Sequence, residues 1–109
     1  MNFDDYQQLA LRTASPKDKK DEVFQLILGL VGEAGEIAEK AKKIVRDNGS
    51  DFSTFDVDDL KKELGDVLWY TSTLADFFGI SLDALAKANL EKLASRQARG
   101  KITGSGDNR

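Results

Sequence analysis

Apolar residues recur along this chain at the three-to-four spacing of amphipathic helices, in four blocks separated by turn-forming residues. The first block predicts a helix over about residues 4–14, ending before "SPKDKK", where Pro16 breaks the pattern. The second predicts a long helix from near Asp21 to about Arg46, with Val23, Ile27, Leu30, Val31, Ala34, Ala38, Ala41 and Val45 as its core stripe. "DNGSDFSTFD" reads as a loop turning at Asn48-Gly49. Asp56 or Asp58 can cap a third helix that runs to Phe78 and stops at Gly79, with Leu60, Leu64, Val67, Leu68, Thr71, Leu74 and Ala75 facing the core. Ser81 can cap a fourth, carrying Leu82, Leu85 and Leu93 as far as Gly100. The pattern predicts no strand. It points to an all-α, four-helix bundle over residues 1–100, followed by a Gly-rich, polar, flexible tail over residues 101–109.

Within the second block, "GLVGEAGEIAEKAKK" sets Glu33 and Glu36 three residues apart among Gly29, Gly32 and Gly35. Glycine inside a helix is disfavoured by about 1 kcal/mol relative to Ala, so its presence calls for a reason. Projected at 100° per residue, the two acids fall roughly 60° apart, off the core stripe, with the glycines along one flank. The glycines therefore read as a thin strip that clears space for another helix or a ligand. The third block repeats the device with Glu63 and Asp66, beside Tyr70 and Phe77, and with Asp59 one turn earlier. Two adjacent helices with such pairs can bring four carboxylates together, an arrangement that is strongly repulsive without a cation. The bland alternative is a solvated face in which Glu36 pairs with Lys40 and Glu39 with Lys43 at i, i+4.

Composition narrows the chemistry. The 109 residues suffice for one domain, with a balance of 40% apolar and 32% charged residues typical of a globular chain. With no His and no Cys, disulfides, thiolate chemistry and the usual zinc sites are excluded. Catalysis must then rest on carboxylates, Lys, Tyr or a hard ion, and all-oxygen ligation suits Mg²⁺ or Mn²⁺. A net charge of -3 argues against nucleic acid as a partner. No apolar run approaches the roughly 20 residues that span a bilayer, and the acidic, polar start is unlike a signal peptide, so no membrane partner and a cytoplasmic location are expected.

On the fourth helix, Asn89, Lys92 and Arg96 project onto the stripe of Leu85, where apolar residues should continue. Two cations and an amide there are unfavourable unless something anionic or hydrogen-bonding meets them, or unless the helix frays and the stripe is exposed. Lys92 and Arg96 are suitable phosphate donors, and Asn89 can read a base or sugar edge. Trp69 lies off the core stripe and reads as an interface residue, or less simply as a stacking platform.

With "EAGE" and "ELGD" in the contexts "GLVGEAGEIAEKAKK" and "LKKELGDVLWYTSTLAD", the sequence resembles the MazG-like nucleoside triphosphate pyrophosphohydrolases of the all-α pyrophosphatase superfamily. The resemblance extends from "DYQQLALRTA" to "GSGDNR". It implies a MazG-like bundle completed by oligomerisation, as homodimer or homotetramer. It also implies Mg²⁺-dependent cleavage of (d)NTPs between the α and β phosphates, giving a monophosphate and pyrophosphate. Carried over by position, Glu33, Glu36, Glu63 and Asp66 would be metal ligands, with Glu33 the choice for orienting the attacking water. Asn89 and Lys92, with Arg96, would meet the nucleotide, and Tyr70 matches an aromatic near the base or sugar pocket. Better-known members carry tandem domains or longer N-terminal segments, and specificity residues in those segments do not transfer. Two other readings share these residues: a phosphoribosyl-ATP pyrophosphatase-like enzyme, and a non-catalytic helical module that binds nucleotides or partners.

Overall fold

A computed structural model describes residues 1–15 and 20–109; the helix break expected at Pro16 lies outside them. Among the described residues there are four α-helices and no strand: α1 (Phe3–Ala10), α2 (Glu22–Asp47), α3 (Val57–Phe77) and α4 (Leu82–Ala98). Short 3₁₀ turns at Leu11–Thr13 and Phe52–Thr54 complete the order. The chemistry of the ends explains the boundaries. The Asn2 side chain accepts from the Asp5 N–H while Asp5 reaches back to the Asn2 N–H, a capping box that starts α1. Asp56 and Ser81 accept from the N–H groups of Asp59 and Ala84, starting α3 and α4. Past the end of α3, Gly79 takes φ 71°, the left-handed turn that glycine allows.

Helices α2 and α3 pack along one another, and α1 lies across α3 and the start of α4. A polar clasp holds that junction. Buried Gln7 donates to the carbonyls of Ser72 and Ile80, each at 3.1 Å, and accepts from the Leu82 N–H at 3.0 Å. Trp69 is a second tie: its indole N–H donates to Thr13 Oγ1 at 2.9 Å and to the Ala10 carbonyl at 3.2 Å. Its polar edge thus binds α1 to α3 within the chain, where the sequence suggested an interface role.

The expected core stripes are only partly buried. The buried apolar residues are Ala10, Leu26, Ala75 and Leu82, while Ile27, Val31, Ala34, Ala38 and Val45 of α2 and Leu64 and Leu68 of α3 are exposed. Phe24, Leu28 and Val31, at 61, 69 and 63% exposure, head an apolar stripe continuing through Ala38 to Val45. The reason is geometric: one helix pair buries one side of each helix, and these stripes run partly along the other. The radius of gyration, 16.8 Å, exceeds the roughly 13 Å of a compact 100-residue domain.

The tail folds back on the end of α4. Arg109 donates to the carbonyls of Lys101, Ile102 and Gly106, at 3.0, 3.0 and 2.7 Å, and Arg99 donates to the Arg109 carbonyl. Positive φ at Gly104 and Gly106 lets the chain reverse onto α4.

Candidate metal and nucleotide site

Because α2 and α3 lie side by side, residues one turn apart on each meet across the seam. Glu33 and Glu36 from α2 and Glu63 from α3 each place a carboxylate oxygen within 4.8 Å of the others. Glu63 is the most enclosed, with its side chain 13% exposed and its Oε2 buried without a hydrogen-bond partner. Asp66 lies outside that tight group and is exposed, yet its charge reaches both glutamates of α2.

The electrostatics follow from the crowding. Burial, then the charges of Glu36 and Asp66, then Glu63 raise the Glu33 carboxyl above its ordinary value. Glu36 is raised chiefly by its hydrogen bond and charge contact with Glu63, with Lys40 opposing. A set of converging carboxylates, one with an unpartnered buried oxygen, fits a hard divalent cation by donor type and number.

Lys40 does not simply pair back along its own helix. Its ammonium crosses to α3, 2.5 Å from Asp59 Oδ2 and 3.7 Å from Glu63 Oε1. Glu39 meets Lys42 at 3.8 Å, one residue short of the i, i+4 pairing with Lys43 that the sequence allowed.

The glycines divide into two kinds. A Cβ on Gly29 would overlap the Tyr70 ring, so this glycine admits the ring against the α2 backbone. Gly32 and Gly35 face open space and clear room for no residue of this chain. Tyr70 is therefore half-buried on the Gly29 backbone, and its ring meets Trp69 edge-on at 5.0 Å between centroids.

On α4, Asn89 and Lys92 line an open groove of about 300 Å³ with Leu85 and Ala88. Arg96 is 5% exposed. Its Nη2 donates to the Asp107 carbonyl at 2.6 Å and to the Asp107 carboxylate at 3.1 Å, and that carboxylate also holds Lys92 Nζ at 3.1 Å. The tail thus supplies an anion to both cations, and this contact of Asp107 is one the helical pattern did not signal. Tyr6 of α1 is a further group that the helical pattern does not signal. Burial, then the Asp66 charge, raise its phenol above the ordinary value.

The amino-acid sequence carries the likeness to known proteins. The family model for the MazG nucleotide pyrophosphohydrolase domain matches residues 22–100, which span both acid pairs and all of α4. The chain is 46% identical to the "Gene 37 protein" of Mycobacterium phage L5 over an alignment covering the whole of both proteins. No solved structure gives a significant match. A chain that is helical in its described residues, whose Glu33, Glu36 and Glu63 meet across the α2–α3 seam and whose residues 22–100 match the family model, thus belongs to the MazG nucleotide pyrophosphohydrolase family.

Proposed function

We propose that this protein is a divalent-cation-dependent pyrophosphohydrolase that converts a nucleoside triphosphate, canonical or damaged, to the monophosphate and pyrophosphate. The observation that carries the reading is the convergence of Glu33, Glu36 and Glu63 within 4.8 Å. Those three residues, with Asp66 beside them, would hold Mg²⁺ or Mn²⁺. Such an ion supplies Lewis-acid polarisation of phosphoryl oxygens and a more acidic bound water.

The chain's own groups do the rest. Glu33, one of the converging carboxylates, is suited by position to orient the attacking water and accept its proton. Tyr70, fixed by Gly29 and Trp69, offers a rigid aromatic surface to the nucleoside. Asn89 and Lys92 face an open groove and meet the sugar or base and the phosphates. Arg96, enclosed by the tail, meets an anion only where Asp107 gives way.

A second copy of the chain is the natural cover for the stripe of Phe24, Leu28 and Val31, because a contiguous apolar helix face is seldom left in water. The functional unit is therefore a homodimer or homotetramer.

Pyrophosphate release from a panel of canonical and oxidised (d)NTPs and phosphoribosyl-ATP, with Mg²⁺ and with chelator, tests the proposal. Metal-dependent release from a nucleoside triphosphate, lost in Glu36→Gln, is the expected result. Turnover of phosphoribosyl-ATP alone would move the protein to the related pyrophosphatase class, and no release from any substrate would contradict enzymatic function.

A further inference from the structure

A cation at the acidic seam is supplied by the protein itself. Lys40 sits one helical turn beyond Glu36, and its ammonium bridges Asp59 and Glu63 across the α2–α3 interface. Glu63 belongs to the converging trio, whereas Asp59, in the first turn of α3, does not. Asp59 makes the closer contact, so it acts as the tether and Glu63 as the second contact. The side chain is about one-third exposed, which leaves the ammonium at the rim of the cluster rather than inside it.

We propose that Lys40, tethered by Asp59, is an internal counter-ion that sets the affinity of the carboxylate cluster for divalent cations. The inference rests on the metal-binding reading of Glu33, Glu36 and Glu63. Its physical basis is simple competition. A fixed positive charge against Glu63 partly relieves the repulsion that otherwise drives cation uptake, and it repels a divalent ion arriving at the same oxygens. Removing that charge while keeping a polar side chain of similar length should therefore tighten binding of the free ion. A simple staple between α2 and α3 would affect only stability.

The test is titration of the full-length protein with Mn²⁺ alone, followed by electron paramagnetic resonance, without nucleotide. Lys40→Gln should lower the Mn²⁺ dissociation constant by about three- to tenfold, the scale of removing one unit charge a few ångströms from a partly solvated ion. Lys40→Arg, which keeps the charge, should stay within about twofold of the unsubstituted protein. Equal or weaker Mn²⁺ binding in Lys40→Gln overturns the counter-ion role, and a change confined to thermal stability makes Lys40 a staple. Glu63→Gln separates this from failure of the underlying reading. If Mn²⁺ binds as well to Glu63→Gln as to the unsubstituted protein, or binds to none of the proteins, the cluster is not the metal site and the inference falls with it.

Discussion

The side-chain oxygen of Gln7 accepts the backbone N–H of Leu82 at 3.0 Å, across 75 positions of sequence. That N–H opens α4, where a helix has no partner of its own to offer, and the Gln7 amide nitrogen simultaneously donates to the carbonyls of Ser72 and Ile80. Gln7→Ala removes all three of these contacts, leaves the buried Leu82 N–H without its side-chain acceptor, and should destabilise the protein by about 1–3 kcal/mol. Chemical denaturation checks this, and a loss below about 0.5 kcal/mol would mean that water takes over the role of the amide.

The glycines of α2 should respond in opposite directions. Gly29→Ala forces the new methyl into the Tyr70 ring and should cost about 1–3 kcal/mol. Gly32→Ala meets open space and should stabilise by about 0.5–1 kcal/mol through helix propensity. Paired thermal melts of the two variants measure the contrast, and equal effects would mean that Tyr70 moves aside freely.

These two positions also show what the sequence could and could not reveal. Helix order, caps at Asp56 and Ser81, and the placing of Glu33 beside Glu36 and of Glu63 beside Asp66 on their own helices follow from spacing, because local chemistry and helical period determine them. That Glu33, Glu36 and Glu63 draw together while Asp66 stays outside depends on how α2 and α3 pack. Which glycine serves a packing role does not follow from spacing either, since it depends on the rotamer of a residue 41 positions away in another helix. Nothing in the spacing singles out Gln7, and Trp69 reads as an interface residue, because the partners of both lie far away in sequence. The contacts of the tail are hidden for a related reason. Its composition is that of a loose chain, but Arg109 and Asp107 find charged or carbonyl partners that composition does not record.

Protons and stability are linked with opposite signs in two sets of carboxylates. Glu33 is raised above 4.5 by burial and the charges around it, and Glu36 chiefly by Glu63, so the folded protein binds their protons more tightly than the unfolded chain. Their destabilisation is absent below 4.5 and grows as pH rises through the raised values. Asp59 and Asp107 are lowered below 3.8 by their hydrogen bonds to Lys40 and to Lys92 and Arg96. They contribute stability that is present above 3.8 and lost as pH falls through the lowered values. In chelator, the melting temperature should therefore rise as pH is lowered from 7 toward 4.5 and fall again in stronger acid. Glu36→Gln should flatten the upper limb; an unchanged slope would remove the acidic seam as its source.

The exposed stripe on α2 makes a prediction about assembly. Leu28→Lys puts a charge between Phe24 and Val31 and, because Leu28 is exposed within the chain, should leave the helices intact. Sedimentation should show the unsubstituted protein as a dimer or tetramer and Leu28→Lys as a smaller species with the same circular dichroism. A monomeric unsubstituted protein would refute the assigned cover.

The central claim is that carboxylates from α2 and α3 jointly hold a divalent ion that receives a triphosphate. A crystal grown with Mn²⁺ and a non-hydrolysable α,β-imido nucleoside triphosphate, read by anomalous diffraction at the manganese edge, addresses it most directly. The account predicts a peak bonded to oxygens of Glu33, Glu36 and Glu63 with a phosphate oxygen on the same ion. A map with the nucleotide bound and manganese elsewhere, or with those three side chains turned to solvent, would contradict it.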